Sequence, residues 1–167
     1  RRAAFVVIES IGDNAVLVEG HWPLIAAPVS GDTVLAVQGA ISEATAAEFG
    51  LSVGDQFEMA PFWEANHERV YAIVSGIYAR SVPDSRFWRV FDEALGFGNT
   101  SFQFATFAVS EHSMLEVLGQ YFPLLTSEYG WLVDFENSKL KADQSELTQV
   151  AIEKLESEFD AELDGFR

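Results

Sequence analysis

The sequence predicts a single α+β domain over residues 1–167, with short helices packed on a mixed sheet and one long C-terminal helix. Three observations predict this class. The chain of 167 residues has the length of one domain. Its apolar share of 49% is enough for a substantial core. Runs rich in β-branched and aromatic residues alternate with segments of helical periodicity. An aromatic stretch at about residues 80–135 is a candidate second lobe.

The first quarter of the chain predicts three strands. Apolar runs at residues 3–8 and 15–18 have the composition of strands, and the turn at residues 12–14 would let them pair as a hairpin. After a loop that contains two prolines, residues 32–39 predict the third strand.

A short helix and a tight reversal come next. Ser42 has the side chain of a helix N-cap, and Gly50 is placed to end the helix after about two turns. The following segment, 51–55, reverses the chain into a strand at residues 56–59. Residues 69–78 predict a longer strand with a bulge at residues 75–76.

Four more elements complete the prediction. Residues 83–85 cap an aromatic helix that runs to Gly96, and residues 101–109 predict a strand. Ser110 begins a helix that Gly119 ends, and a strand follows at 129–135. Apolar residues spaced by three or four positions predict the long helix at 144–163, whose apolar stripe we expect to pack on the core in preference to another chain.

Charge and composition exclude several classes of function. Ten basic and 26 acidic residues give a net charge of −16, so the chain would repel nucleic acid and an anionic lipid surface. It has no cysteine, which excludes a disulfide scaffold, cysteine zinc sites and thiol catalysis. The longest uncharged run, residues 94–110, carries too many polar residues and glycines for a membrane span.

Motifs of catalysis and of cofactor binding are missing from the sequence. It contains no G-x-S-x-G pentapeptide, and the glycine-rich stretch at 96–101 follows a helix, where a phosphate-binding loop would precede one. Pairs of carboxylates are expected by chance among 26 acids. Glu64 and His67 are the nearest approach to a metal site, and a solvated loop is the favoured interpretation. We therefore predict no catalytic, cofactor or metal residues.

Three segments carry short motifs in a definite order. Residues 41–59 contain the helix and a G-L-x-V-G-D turn formed by Gly50, Leu51, Val53, Gly54 and Asp55. Residues 19–23 read E-G-H-W-P, residues 70–78 contain V-x-G-I, and a W-containing segment at 83–88 follows. In order and spacing these segments resemble the extracytoplasmic, MacB-like core domain of FtsX-like and MacB-like ABC transporter permeases. Residues 19–23 are similar to that family's E-G-R-x-P element, with His21 in place of the arginine.

The resemblance implies a noncatalytic domain on the extracytoplasmic side of a bacterial membrane, as a fragment of a longer membrane protein. It implies as partners the transmembrane helices of its own chain, a cytoplasmic ATPase subunit, a second permease and an unidentified external substrate or protein. The residues that carry it are structural ones: Gly20, Trp22, Pro23, Gly50, Leu51, Val53, Gly54, Asp55 and Gly76.

Two alternatives remain open at this point. One is an extracellular ligand-binding or sensor domain whose aromatic residues, Trp88, Phe91, Phe102 and Phe104, enclose an apolar ligand. The other is a hydrolase that uses scattered carboxylates and His67.

Overall fold

A computed structural model describes residues 2–24, 35–60, 69–94, 104–122, 124–125 and 145–164. The chain forms two compact units, Arg1–Gly130 and Trp131–Arg167. The first unit contains the sheet and the short helices, and the second contains the long helix. The predicted α+β class, with a mixed sheet, short helices and a long C-terminal helix, is confirmed.

Six strands form one mixed sheet in the described part of the first unit. They are β1 (Arg2–Val6), β2 (Ala15–Gly20), β3 (Leu35–Ser42), β4 (Gln56–Met59), β5 (Val70–Arg80) and β6 (Phe104–Ala108). Five of them follow the order β1-β6-β3-β5-β2, and β4 pairs with β5. β1 is parallel to β6, β6 is antiparallel to β3, and β3 is parallel to β5, while β2 and β4 are antiparallel to β5.

The predicted hairpin between the first two strands is wrong. β1 pairs with β6, and β2 pairs with β5, so the two strands lie at opposite edges of the sheet. A short helix, α1 (Ile11–Asn14), occupies the place of the predicted turn. Because a helical turn does not return the chain alongside β1, β2 is free to take a distant partner.

Strand β5 is the longest of the described strands and organises the sheet around it. One of its edges pairs with β3. Its other edge is shared by two strands placed end to end, since β4 pairs with residues 70–73 and β2 with residues 76–80. The register with β3 shifts by one residue at Ser75, between the pairs Gly39 with Val74 and Ala40 with Gly76, which confirms the predicted bulge.

Short helices cover both faces of the sheet. α2 (Glu43–Phe49) begins and ends where the sequence predicts, and α3 (Arg86–Ala94) is the predicted aromatic helix. After β6 the chain forms a wider π-helical segment, Ser113–Leu118, which continues into α4 (Gly119–Tyr121). Gly119 has helical dihedral angles, so the prediction that it ends this helix is wrong. Met114 and Leu118 face the core, and Phe122 is the first residue beyond the helix.

The two faces of the sheet carry separate apolar clusters. On one face α2 and the π-helical segment cover a core that includes Val37, Ile41, Val74 and Phe107. On the other face a smaller cluster of Ala15, Ala40, Tyr78, Trp88 and Ala108 lies beneath α3. This separation follows from strand periodicity, because alternate residues of one strand point to opposite faces.

The described part of the second unit is α5 (Ser145–Asp164), which confirms the predicted long helix. At about 1.5 Å per residue, its 20 residues span roughly 30 Å. Leu147, Val150 and Leu155 are exposed. No helix in the described ranges has both the length and the apolar character that a membrane span requires.

Several predictions fall outside the described residues. These are the loop at 25–34, the segment with Glu64 and His67, the glycine-rich stretch at 96–101, and the strand at 129–135. They stay predictions, as does the division of the chain into domains.

Candidate functional site

The turn that carries the G-L-x-V-G-D motif is held by hydrogen bonds from its own residues. Gly54 has a φ of 93°, and the Asp55 N–H donates to the Ser52 carbonyl at 3.0 Å, which defines a type II turn with glycine at its third position. The Asp55 carboxylate accepts from the Ser52 N–H at 2.8 Å. Each residue type in this motif therefore has a local structural cause.

The helix before this turn is capped at both ends. The Ser42 hydroxyl accepts from the Thr45 N–H at 3.1 Å, and Gly50 takes the left-handed conformation at φ 66°. The Leu51 N–H then donates to the Ala46 carbonyl at 2.9 Å. Leu51 and Val53, the two apolar residues of the motif, are half-buried and pack on the core.

The three motif segments meet at one place on β5, which we call the strand crossing: Gly20, His21, Gly54, Asp55 and residues 74–76. From one segment, the His21 N–H donates to the Ser75 carbonyl at 2.9 Å. From another, the Gly54 N–H donates to the Val74 carbonyl at 2.8 Å. The Val74 N–H donates in turn to the Asp55 carbonyl at 2.9 Å. Segments that lie 19 or more residues apart in sequence thus converge at the bulge.

Two glycines make this close approach of backbones possible. A Cβ on Gly76 would lie 2.6 Å from the His21 carbonyl oxygen and 3.0 Å from that of Glu19. A Cβ on Gly20, whose φ is 76°, would overlap the Ser75 carbonyl oxygen. The glycines of E-G-x-x-P and V-x-G-I are therefore explained by their contact with each other's strands.

Trp22 connects the strand crossing to an aromatic cluster of Trp22, Tyr78, Phe87, Trp88 and Phe91. The Trp22 and Tyr78 ring centroids are 5.8 Å apart, and Tyr78 lies nearly parallel to Trp88 at 6.1 Å. Phe87 and Phe91 approach Trp88 edge-on. Pro23 is half-buried, and directly after it the Leu24 N–H donates to the Gln38 side chain at 3.1 Å. Trp22 thus packs this loop onto the α3 face of the sheet.

An ion pair closes the outer side of the aromatic cluster. Arg80 on β5 donates two hydrogen bonds to Asp92 on α3, at 2.8 and 2.7 Å. Its guanidinium carbon lies 4.4 Å from the centroid of the Trp88 ring. The hydrogen bonds to Asp92 raise the pKa of Arg80 further above its ordinary value. This arrangement ties α3 to the central strand.

Burial is the main cause of a second pKa shift, that of Tyr78. Tyr78 is 3% exposed, and removing its phenol from water raises the pKa of this side chain to about 12, with the nearby Arg80 acting in the opposite direction. Tyr78 is therefore a neutral core residue at physiological pH.

Trp88 is fully buried, and other groups of the protein surround its ring. Besides Tyr78, Phe87, Phe91 and Arg80, its indole N–H donates to the Asn14 carbonyl at 3.1 Å. The ring is therefore not exposed to solvent. Phe102, which the ligand-binding alternative also requires, lies outside the described residues.

No catalytic arrangement is assembled from the groups that the structure describes. In this part of the chain, no three His, Asp or Glu side chains are placed to hold a metal ion. His21 and His112 are exposed, and Asp92 is engaged by Arg80. The Ser75 hydroxyl is buried without a hydrogen-bond partner, within the bulge.

The sequence pattern indicates the motif residues but not the ion pair between Arg80 and Asp92. The two residues lie 12 positions apart across a loop, so neither helical nor strand spacing links them. One pattern would have favoured this ion pair: Arg80 lies at the end of a strand, and the next element is a helix with aromatic residues.

Comparisons with known protein families, with curated proteins and with solved structures return no match for this chain.

Proposed function

We propose that this chain is a noncatalytic extracytoplasmic domain of an ABC transporter permease of the FtsX-like and MacB-like kind. The observation that carries the proposal is the strand crossing. Three short motifs that resemble this family in order and spacing also come together in space, through hydrogen bonds between Gly54, Val74, Ser75 and His21. If the three matches were due to chance, their convergence on one bulge would not be expected.

A mechanical function agrees with the chemistry of the site. At the crossing, backbone hydrogen bonds and closely approaching glycines fix one strand against two others, and the Ser75 hydroxyl has no hydrogen-bond partner that could serve as its base. In the proposed role, ATP binds a separate cytoplasmic subunit, and this domain couples movement of the membrane helices to a substrate or protein outside. A stiff helix of roughly 30 Å, such as α5, can transmit a displacement.

The first experiment is to read the coding region on both sides of these 167 residues and to plot its hydropathy. The proposal expects a segment of about 20 apolar residues before Arg1 and further segments after Arg167. A start codon or a cleavable signal directly before Arg1, together with a stop codon soon after Arg167, would contradict it. The ligand-binding alternative would then become the leading hypothesis.

The absence of cysteine allows a direct test of location. We would introduce Asp84→Cys, at an exposed loop position, into the full-length protein with any cysteines elsewhere replaced, and treat intact cells with a membrane-impermeant maleimide. Labelling in intact cells is expected. The cysteine-free protein is the control for background, and labelling of the variant only after lysis would place the domain in the cytoplasm and overturn the proposal.

A further inference from the structure

The outer edge of β2 is an open strand edge. Among the described strands β2 pairs with β5 alone, so it ends the sheet on this side. The Ser81 N–H donates to the Asn14 carbonyl at 2.9 Å, which makes these two residues a hydrogen-bonded pair. Because such pairs alternate in an antiparallel ladder, the backbone N–H and C=O of Leu17 point away from β5. An edge of this kind can accept another extended chain.

Two exposed valines lie along this edge. Val16 is 60% exposed and Val18 is 55% exposed. Ala15 faces the cluster beneath α3, so strand alternation places Val16 on the opposite face, where an added chain could cover it. Natural proteins commonly protect exposed edges with lysine, proline or a bulge. β2 has neither lysine nor proline, and its bulge begins only at Val18.

The charges of this segment indicate which chain would be accepted. Glu9, Asp13 and Glu19 are exposed, and residues 9–20 contain no lysine or arginine. Since a second copy would bring the same acidic segment, which has no basic residue, alongside this one, self-pairing is disfavoured by charge repulsion. Arg80 is hydrogen-bonded to Asp92 on the α3 face of the sheet, so it does not offset the negative charge of Glu9, Asp13 and Glu19.

We propose that the outer edge of β2, at residues 15–19, binds an extended segment of a partner protein in which apolar residues alternate with lysine or arginine. The partner's backbone hydrogen-bonds to Leu17, its apolar side chains cover Val16 and Val18, and its basic side chains are attracted by the negative charge of this segment. This surface is distinct from the strand crossing, and the proposal does not depend on the transporter function.

The test uses a fluorescently labelled heptapeptide of alternating lysine and valine as the probe. Its binding to the 167-residue chain is measured by fluorescence anisotropy. A heptapeptide with glutamate in place of lysine tests charge. A third peptide keeps the lysines but carries N-methyl groups on alternate backbone nitrogens, so it cannot pair as a strand while its net charge is unchanged. We expect the first peptide to bind at least about tenfold more tightly than either of the others.

Variants of the protein then locate the site. Replacing both edge valines, Val16→Ser with Val18→Ser, is expected to weaken binding about tenfold. The matched control is Val82→Ser, because Val82 is 62% exposed but lies outside β2, and it is expected to leave binding unchanged. Near-UV circular dichroism of each variant establishes that it is folded. Amide chemical shifts on titration with the lysine peptide are expected to change at residues 15–19.

Several outcomes would overturn the proposal. Absence of binding at about 1 mM peptide would do so. Equal binding of the N-methylated peptide would mean that only the negative charge of the protein attracts the probe. An equal loss with Val82→Ser would remove the assignment to β2. A dimer in sedimentation that dissociates in the double valine variant would mean that a second copy, not a basic partner, occupies this edge.

Discussion

Gly54 is the residue on which the turn of the G-L-x-V-G-D motif depends. Its φ of 93° lies in a region that β-branched residues rarely adopt, while a Cβ at this position would meet no atom within 4 Å. We expect Gly54→Val to lower the free energy of unfolding by more than about 1 kcal/mol, through backbone strain alone. Urea denaturation measures this change.

Gly12 supplies the matched control for this substitution. It is exposed, does not have a positive φ, and would also place a Cβ in open space. Gly12→Val should therefore change stability by no more than about 0.5 kcal/mol. Equal effects of the two substitutions, or an unchanged midpoint for Gly54→Val, would contradict the turn described here.

Gly76 is constrained in a different way, by space. Since a Cβ here would lie 2.6 Å from the His21 carbonyl oxygen, Gly76→Ala must push the E-G-x-x-P segment away from β5. A loss of about 1–3 kcal/mol is expected, as in other overpacked sites. Gly119→Ala is the control: Gly119 is helical and its added Cβ would lie 3.6 Å from its nearest neighbour, so stability should rise slightly. Thermal unfolding of both variants distinguishes crowding from a general effect of alanine.

Tyr78 makes the stability of the protein depend on pH in the alkaline range. Its pKa is about 12 in the folded state and about 10 in an unfolded chain, so the folded state holds its proton more tightly. The stabilisation is complete below pH 10 and is lost as the pH rises towards 12, by at most roughly 3 kcal/mol. We expect Tyr78→Phe to reduce this decline when urea denaturation is repeated between pH 8 and 11.5. An identical decline in the variant would refute the assignment to Tyr78.

At the scale of the element, α3 is fastened to β5 by the pair of Arg80 and Asp92. Their side chains are 25% and 38% exposed, so water screens the interaction, and Asp92→Asn is expected to cost only about 1 kcal/mol. Hydrogen exchange should nevertheless accelerate in α3 more than in α2. Asp84→Asn, in the exposed loop before α3, is the control, and exchange that is uniformly faster in both variants would contradict a specific attachment of α3.

Elements with local causes could be predicted from the sequence, and those with distant causes could not. The bounds of α2 follow from Ser42 and Gly50, whose capping bonds reach no farther than four residues. The pairing of β2 depends on β5, about 60 residues away, and no pattern within residues 3–18 specifies that partner. The π-helical segment also escaped prediction, because its apolar spacing fits an ordinary helix that Gly119 could end.

At the scale of the whole molecule, the net charge of −16 is itself a force that opposes compactness. Salt screens such repulsion, so we expect the melting temperature to rise by about 2 to 4 °C between low salt and 0.5 M sodium chloride. The double variant Glu48→Lys with Glu156→Lys replaces two exposed acids and brings the net charge to −12. The melting temperature of this variant should rise less with salt. An equal rise would mean that salt stabilises the protein by a mechanism other than screening of charge repulsion.

For the strand crossing, local rules predicted the separate segments but not that these segments meet. Each motif residue could be assigned a local role from its own segment, such as the turn at Gly54 or the bulge at Ser75. That the segments meet is a property of the sheet order, which places β2 and β4 end to end on one edge of β5. Sheet order is fixed by contacts between distant residues and is not written in any one segment.

The parallel pairing of β1 with β6 has a consequence for how the chain acquires its fold. β1 precedes the other described strands in the chain, and its partner in the described sheet begins at Phe104, about one hundred residues later. During translation the apolar side chains Ala3 and Phe5 therefore cannot pack against β6 until about one hundred further residues have emerged. Such late closure favours slow folding and leaves β1 as a segment that chaperones can bind early.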